Sequence, residues 1–472
     1  MSRSSGIGLV QFFFLAFAIL FFSSGSAFQI TLILISALLF GWTWFELDHS
    51  DSDSSDGFWL PWIAFLVIGV FSLNRFTSLP FASSEYYRYF WDAIVSAHGL
   101  NPFLNTPEAV ISKIPVLTGI SEQTGITTGI SLHPPISQWL FSLALYYPVM
   151  TISSELFIYR LEILFTTIFV VSSWLLLVLN RNKSGSSRWT VAFLLCPVFL
   201  FQGILEVHSG FIAVPWIILT ALMLNKNLHF LAGVVLAAAV GSDLMVIILI
   251  PFLFFLRMEI KTAGLILSGF VLASFFIWIP VLFAQDLPGF QSVIHEIRLN
   301  EFNSFFPSLW VTVSGFLNVQ FSDLLIRTIF FILFLFGWVF LIYFSVRQSE
   351  WKVRLRFGLF GLLIFLLFSP EVQPWMMILP FTLAFILQIV PFSLGAWFTF
   401  SMFTILINNQ PYAPNSYWQF RIWEYSIVIP LLIADGYRFL GPFVFQHKTE
   451  KCADEMNHEG NGDVSTETQS LG

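Results

Sequence analysis

Residues 324–346 read LLIRTIFFILFLFGWVFLIYFSV, with Arg327 near the start as the one charge in the run. As a helix this stretch is about 34 Å long, enough to cross a hydrocarbon core of roughly 30 Å. It is apolar on every side, so lipid or other protein must surround it. The rest of the chain is built from the same material. Of 472 residues, 57% are hydrophobic, 18% aromatic and 10% charged, against roughly 25% charged in a soluble domain. A water-soluble enzyme is excluded, because its surface would need polar groups this chain does not have.

Outward from that run, apolar segments of spanning or near-spanning length fall at 8–23, 28–46, 58–74, 136–150, 155–179, 189–206, 211–224, 229–256, 262–284, 324–346, 355–369, 375–391, 394–408 and 423–440. This predicts an all-α polytopic membrane bundle of about 12–14 helices. Segments such as 136–150 and 394–408 fall short of the ~20 residues of a straight span, so tilted, half-buried or re-entrant pieces are expected. Arg3, the apolar stretch Val10–Phe22 and the small residues Ser23 to Ala27 resemble a secretory signal, but another apolar run follows at once, which favours an uncleaved first helix. Three units are expected: an N-terminal hairpin with an acidic cytoplasmic loop (1–57), the membrane domain (58–440) and a disordered cytoplasmic tail (441–472).

Short loops rich in Lys and Arg mark the cytoplasmic side: Arg181, Lys183 and Arg188; Lys226; Arg257 and Lys261; Arg347, Lys352, Arg354 and Arg356. Residues 75–135, 285–303, 370–374 and 409–422 then share the outer face. That assignment requires either 136–150 or 229–256 to depart from a simple span. The net charge of −7 comes from 21 Lys+Arg against 28 Asp+Glu. Much of the acid lies in the 47–56 loop and the tail, and no basic stripe offers a nucleic-acid surface. The two cysteines, Cys196 in an apolar run and Cys452 in the tail, suit neither a disulfide framework nor a metal site.

The 75–135 loop is too long to be a mere connection. It contains SSEYYRYFWD (Ser83–Asp92), then His98, Gly99, Leu100, Asn101, Pro102 and Phe103, and closes with LHPPISQ (Leu132–Gln138). At helical spacing Glu85, Arg88, Tyr89 and Asp92 share one face, two carboxylates flanking an arginine. The plain alternatives are solvated loop charges for the carboxylates and a helix-start role for His133 before Pro134 and Pro135. Trp91, Trp310, Trp375 and Trp423 could stack on a sugar or belong to interface belts. Arg160 and Glu162 lie inside an apolar run, where an ionisable residue is functional or paired by default. Asp243, Glu206 and His208 lack ligand spacing for a metal, and a hard cation would want more convergent oxygens. The 58 phenylalanines read as lipid-facing and core packing.

The run Tyr87-Arg88-Tyr89-Phe90-Trp91-Asp92 followed by Asn101-Pro102-Phe103 resembles the first outer loop of the membrane-embedded C-type (GT-C) glycosyltransferases. The group concerned is the polyprenol-phosphate-mannose-dependent alpha-mannosyltransferase-like one, which carries D-x-x-R-Y-x-W-D-G before N-P-Y. His133-Pro134-Pro135 stands where that group has Tyr-Pro-Pro or His-Pro-Pro. Pro197 with Glu206 and His208 is similar to its N-P-L and G-H-x-D. Asn300–Phe306, Ser369-Pro370-Glu371-Val372-Gln373-Pro374-Trp375 (for S-P-x-x-H-P-W-Y) and Trp423-Glu424-Tyr425 follow in order. The resemblance covers roughly residues 60–440. Four positions depart from it: Glu85 for the usual Asp, Gly210 for the acid of G-H-x-D, Asp243 for a Lys, and Gln373 for a His. A different sugar or acceptor, or a diverged inactive member, would fit such changes.

The resemblance implies transfer of a hexose, mannose first, from a polyprenyl-phosphate carrier to an acceptor hydroxyl at the outer face, with inversion. The acceptor would be a glycan or glycolipid of the cell envelope, and the membrane a bacterial inner membrane. Such chemistry needs a carboxylate to take the hydroxyl proton, a cation on the leaving phosphate and an apolar groove for the prenyl chain. Glu85 is the expected base. Asp92 is the second candidate, or the group that orients sugar hydroxyls. Arg88 and Arg298 lead among few outer cations, because guanidinium suits a bidentate phosphodiester contact. Asn101, His133, His208, Gln373 and Trp375 complete the expected contacts to donor phosphate and sugar. No cofactor is expected, and with no Gly-rich phosphate loop a nucleotide-sugar donor bound that way is disfavoured. A transporter or flippase would show internal repeats and paired broken helices, and only Asp243 and Arg160 favour one. A polymerase or ligase using lipid-linked glycans would share the donor chemistry.

Overall fold

The computed structural model describes residues 85–105, 107–111, 113–114, 117–118, 131, 133–146, 153–181, 186–254, 260–282, 309, 323–369, 372–407 and 418–460. The first three expected spans and Arg298 lie outside them. The chain is an all-α membrane protein. Its helices are α1 (Glu85–Ala97), α2 (Pro107–Ile111), α3 (Pro135–Tyr146), α4 (Ser154–Asn180), α5 (Ser186–Leu194), α6 (Val214–Asn225), α7 (His229–Val240), α8 (Ile250–Phe254), α9 (Ile260–Leu282), α10 (Asp323–Ser345), α11 (Trp351–Phe368), α12 (Ile378–Leu387), α13 (Phe392–Ile407) and α14 (Trp418–Gly460). Among the described residues, four stretches are long and apolar enough to cross a membrane: Ser154–Asn180, Lys261–Val281, Thr328–Ser345 and Arg421–Val444. The pair Val198–Ile204 and Ser209–Asn225, bent by 112°, makes a fifth if it is one broken span.

Both marginal regions depart from simple spans. Helix α3 has 12 residues, about 18 Å, too short to cross. The 229–256 run breaks at Gly241–Asp243 into α7, a 3-10 turn (Leu244–Leu249) and α8, where Asp243 takes extended backbone and its side chain accepts from Met245 N. The 189–206 run also breaks. Pro197 cannot continue the ladder of α5, and the chain passes into a π-helix over Val198–Leu205.

Arg160, suspect inside its apolar run, has a structural duty. Its Nη1 donates to the carbonyls of Ala144 (3.3 Å) and Leu145 (3.0 Å), among the last carbonyls of α3 that have no partner within the helix. Helix α14 continues to Gly460, into the segment expected to be disordered. Between Phe443 and Glu459 it meets no Gly or Pro, and Lys, Glu, Ala and Met favour helix. Asp435 on α14 accepts the backbone N–H of Ser393 at 2.7 Å, binding the start of α13. Phenylalanines 165, 169, 193, 199, 211 and 385 form a chain of ring contacts between α4, α5, the π-helix, the 3-10 turn Ser209–Ala213 and α12.

Helices α7 and α9 touch backbone to backbone. A Cβ on Gly233 would overlap the carbonyl oxygen of Ile266, and one on Gly269 the carbonyl oxygen of Phe230, so two glycines set this separation. Gly269→Ala should cost on the order of 1–3 kcal/mol, read as a lowered thermal midpoint in detergent. Gly264→Ala on the same helix, where nothing lies within 4 Å of the added carbon, should leave the midpoint unchanged. Equal midpoints for the two variants would refute this account of the packing.

Candidate active site

Helix α1 carries the expected face. Its sequence has no Gly or Pro until Gly99, which stops it at φ +72° with Leu100 N donating to Val95 O, a left-handed C-terminal stop. Tyr86, Tyr89, Phe90, Trp91, Ala93, Ile94 and Val95 are buried, which seats the helix against α3 and α4 and fixes which way its polar face points.

Along that face the two carboxylates take different environments. Asp92 is 1% exposed and accepts three hydrogen bonds: from Arg88 Nε (3.2 Å), Ser131 Oγ (2.6 Å) and Gln138 Nε2 (2.8 Å). Gln138 also reaches Ser131 Oγ, and His133 N donates to the same oxygen at 3.3 Å. Glu85, two helical turns away on the same face, has a side chain that is 42% exposed. Its Oε2 accepts from Tyr89 Oη at 2.9 Å and lies 3.4 Å from His208 Nδ1. The Tyr89 hydroxyl in turn accepts from Ser209 N at 3.2 Å, and its ring stacks on Phe141 and meets His133 edge-on. Partial desolvation where α1 packs on the protein pushes the Glu85 carboxyl above the usual carboxylate range, more than His133 and the Tyr89 hydroxyl pull it down. Burial also lowers the His133 imidazole, against the pull of Asp92 and Glu85.

His208 comes from the break in the 189–225 region. Val207 before it has φ +48°, an uncommon conformation for a β-branched residue with a cost of order 1–3 kcal/mol, and π-helical turns of this kind are often found at functional sites. The turn delivers the His208 ring to Trp375, on which it stacks with centroids 4.4 Å apart. Trp375 lies in the 3-10 turn Pro374–Met377, with Gln373 at its N-cap.

The structure therefore brings Glu85, Arg88, Asp92, His133, His208 and Trp375 together, with Gln373 two residues from the stacked indole. Asn101 is otherwise engaged. Its Nδ2 donates to Pro280 O at 2.8 Å and its Oδ1 accepts from Phe103 N at 3.0 Å, which fixes the loop. Of the partners of Asp92, Gln138 closes the LHPPISQ motif with no role assigned to it, and Ser131 lies just before that motif. The signal for Gln138 was a lone amide in an otherwise apolar helix. Among the described residues no three His, Cys, Asp or Glu side chains converge on a metal position. Two of the altered positions meet in space: a Cβ at Gly210 would stand 3.1 Å from Asp243 Oδ2 and 3.9 Å from Trp375 Cε3.

An all-helical membrane chain with a half-exposed, desolvated carboxylate on an amphipathic helix, beside arginine and an aromatic wall, has the parts of a membrane-embedded glycosyltransferase. Residues 9–259 match the MptA_B family, alpha-(1->6)-mannopyranosyltransferase, N-terminal domain, and the chain belongs to that family. The family identifies it as a mannosyltransferase-type membrane protein. No curated protein matches it.

Proposed function

We propose that this protein transfers a mannosyl group from a polyprenyl-phosphate carrier to an acceptor hydroxyl at the extracytoplasmic face, with inversion and Glu85 as general base. The observation that carries this reading is the contrast between the two carboxylates of α1: Asp92 is buried under three donors, whereas the Glu85 side chain is 42% exposed. Glu85 takes the acceptor hydroxyl proton as that oxygen bonds to the anomeric carbon. The bond from that carbon to the carrier phosphate breaks on the opposite face, and its electron pair leaves with the polyprenyl phosphate. The proton then passes from Glu85 to solvent. Arg88, its Nε held by Asp92, is the cation for the leaving phosphate, with Arg298 as a second from the outer loop. His133, kept neutral, donates to or accepts from sugar or phosphate oxygens, and Gln373 and Trp375 border the sugar. Bilayer lipid holds the prenyl chain, and a cell-envelope glycan or glycolipid is the acceptor. The membrane is a bacterial inner membrane.

The test is transfer of labelled mannose from a short polyprenyl-phosphate-mannose to a membrane extract by the purified chain. Because the base acts ionised and its carboxyl is raised, the rate should rise with pH through an inflection above 4.5 and be lost on acidification. An acid limb at or below 4.5, or a rate flat across that range, would remove Glu85 as the base.

A further inference from the structure

The turn Gly241–Asp243 is pinned to the start of α3, the helix whose Gln138 holds Asp92: Ile136 N donates to Gly241 O at 2.9 Å, and Ser137 Oγ to Ser242 O at 2.8 Å. The position of Asp243 relative to the α1 carboxylates is thus set by hydrogen bonds. Its two carboxylate oxygens have different duties. Oδ1 accepts from Met245 N at 2.9 Å, whereas Oδ2 accepts no hydrogen bond among the described residues and points at Gly210, 3.1 Å from where a Cβ would be. Because residue 210 has no side chain, that oxygen faces space also bordered by the edge of Trp375, whose ring stacks on His208, the neighbour of Glu85. A half-buried carboxylate oxygen without a donor calls for a hydrogen-bond donor from outside the chain. The edge of Trp375 carries the positive rim of the ring quadrupole, so the same space favours an oxygen-bearing polar group, such as a sugar hydroxyl that donates to the carboxylate.

We infer that Asp243, through the gap left by Gly210, is a specificity-determining residue that accepts a hydroxyl of the pyranose bound beside Glu85 and Trp375. This rests on the glycosyl-transfer reading for the identity of the ring, which belongs either to the donor mannose or to the acceptor. The chemistry is the same for both, a sugar hydroxyl donating to a fixed carboxylate.

The full chain in nanodiscs is assayed with short polyprenyl-phosphate-mannose and acceptor varied in turn. Asp243→Asn keeps an oxygen able to cap Met245 N and replaces the other acceptor with a donor. Gly210→Ala leaves Asp243 intact and fills the gap. Each should raise KM about ten-fold or more for one of the two substrates while kcat stays within about three-fold, the usual worth of one hydrogen bond to a charged group. Which KM moves identifies the ring, and removing the contacted hydroxyl from that substrate should then cost the wild type but not Asp243→Asn. Both KM values unchanged in both variants, with transfer still abolished by Glu85→Gln, would overturn the inference and leave the function standing. So would a loss confined to kcat. If the wild type transfers nothing, the functional reading fails. Saturation-transfer NMR with methyl α-mannoside then decides separately: binding lost in Asp243→Asn upholds the carboxylate–hydroxyl contact, and equal binding removes it.

Discussion

Glu85→Gln should leave the protein folded and lower mannosyl transfer about 10²–10⁴-fold, the usual contribution of a positioned general base. The carboxamide has nearly the volume of the carboxylate and still offers an oxygen to the Tyr89 hydroxyl, so the packing of Tyr89 on Phe141 and its bond from Ser209 should survive. What is lost is the ability to accept a proton at a position 42% exposed to an incoming hydroxyl. Single-turnover transfer from short polyprenyl-phosphate-mannose reads the chemical step directly, and a thermal midpoint matching the wild type shows that the fold is intact. Transfer within a few-fold of wild type would place the base elsewhere.

Asp92→Ala should fail for a different reason. It removes the buried carboxylate that accepts from Arg88, Ser131 and Gln138 at once, so three donors lose their common charged acceptor. Removing one partner of a buried pair costs about 3–5 kcal/mol, so the thermal midpoint should drop by many degrees and activity should fall with it. Joint replacement by apolar residues, Arg88→Met with Asp92→Leu, should recover most of the midpoint without restoring transfer, since the phosphate cation is gone as well. An Asp92→Ala midpoint within a degree of wild type would show that the network holds nothing together. The two α1 carboxylates thus separate by readout, Glu85 through rate alone and Asp92 through stability first.

The amphipathic face of α1 was legible because the i, i+3, i+4 and i+7 spacing is local. The division of labour between its carboxylates was not, because it depends on Ser131 and Gln138, 39 and 46 residues from Asp92, and on His208, which reaches Glu85 only through a π-helical turn and a left-handed Val207. Composition announced the membrane at once, but the breaks at Pro197 and at Gly241–Asp243 fall inside runs read as single segments, 189–206 and 229–256. Hydropathy could not separate a span from a short buried helix, and so α3 and α7–α8 read as near-spans. Arg160 looked functional because its partners, the end carbonyls of α3, belong to another element.

The bond from Ser393 to Asp435 has a consequence for biogenesis. A lone aspartate near the middle of an apolar segment raises the free energy of membrane insertion by roughly 2.5–3.5 kcal/mol, and Arg438 sits one turn further along the same helix. Helix α13 supplies the backbone donor that Asp435 accepts, so the final helix enters the lipid more readily alongside its predecessor than alone. The last two helices should therefore leave the translocon as a hairpin, and separating them by a long linker should strand α14 outside the bilayer.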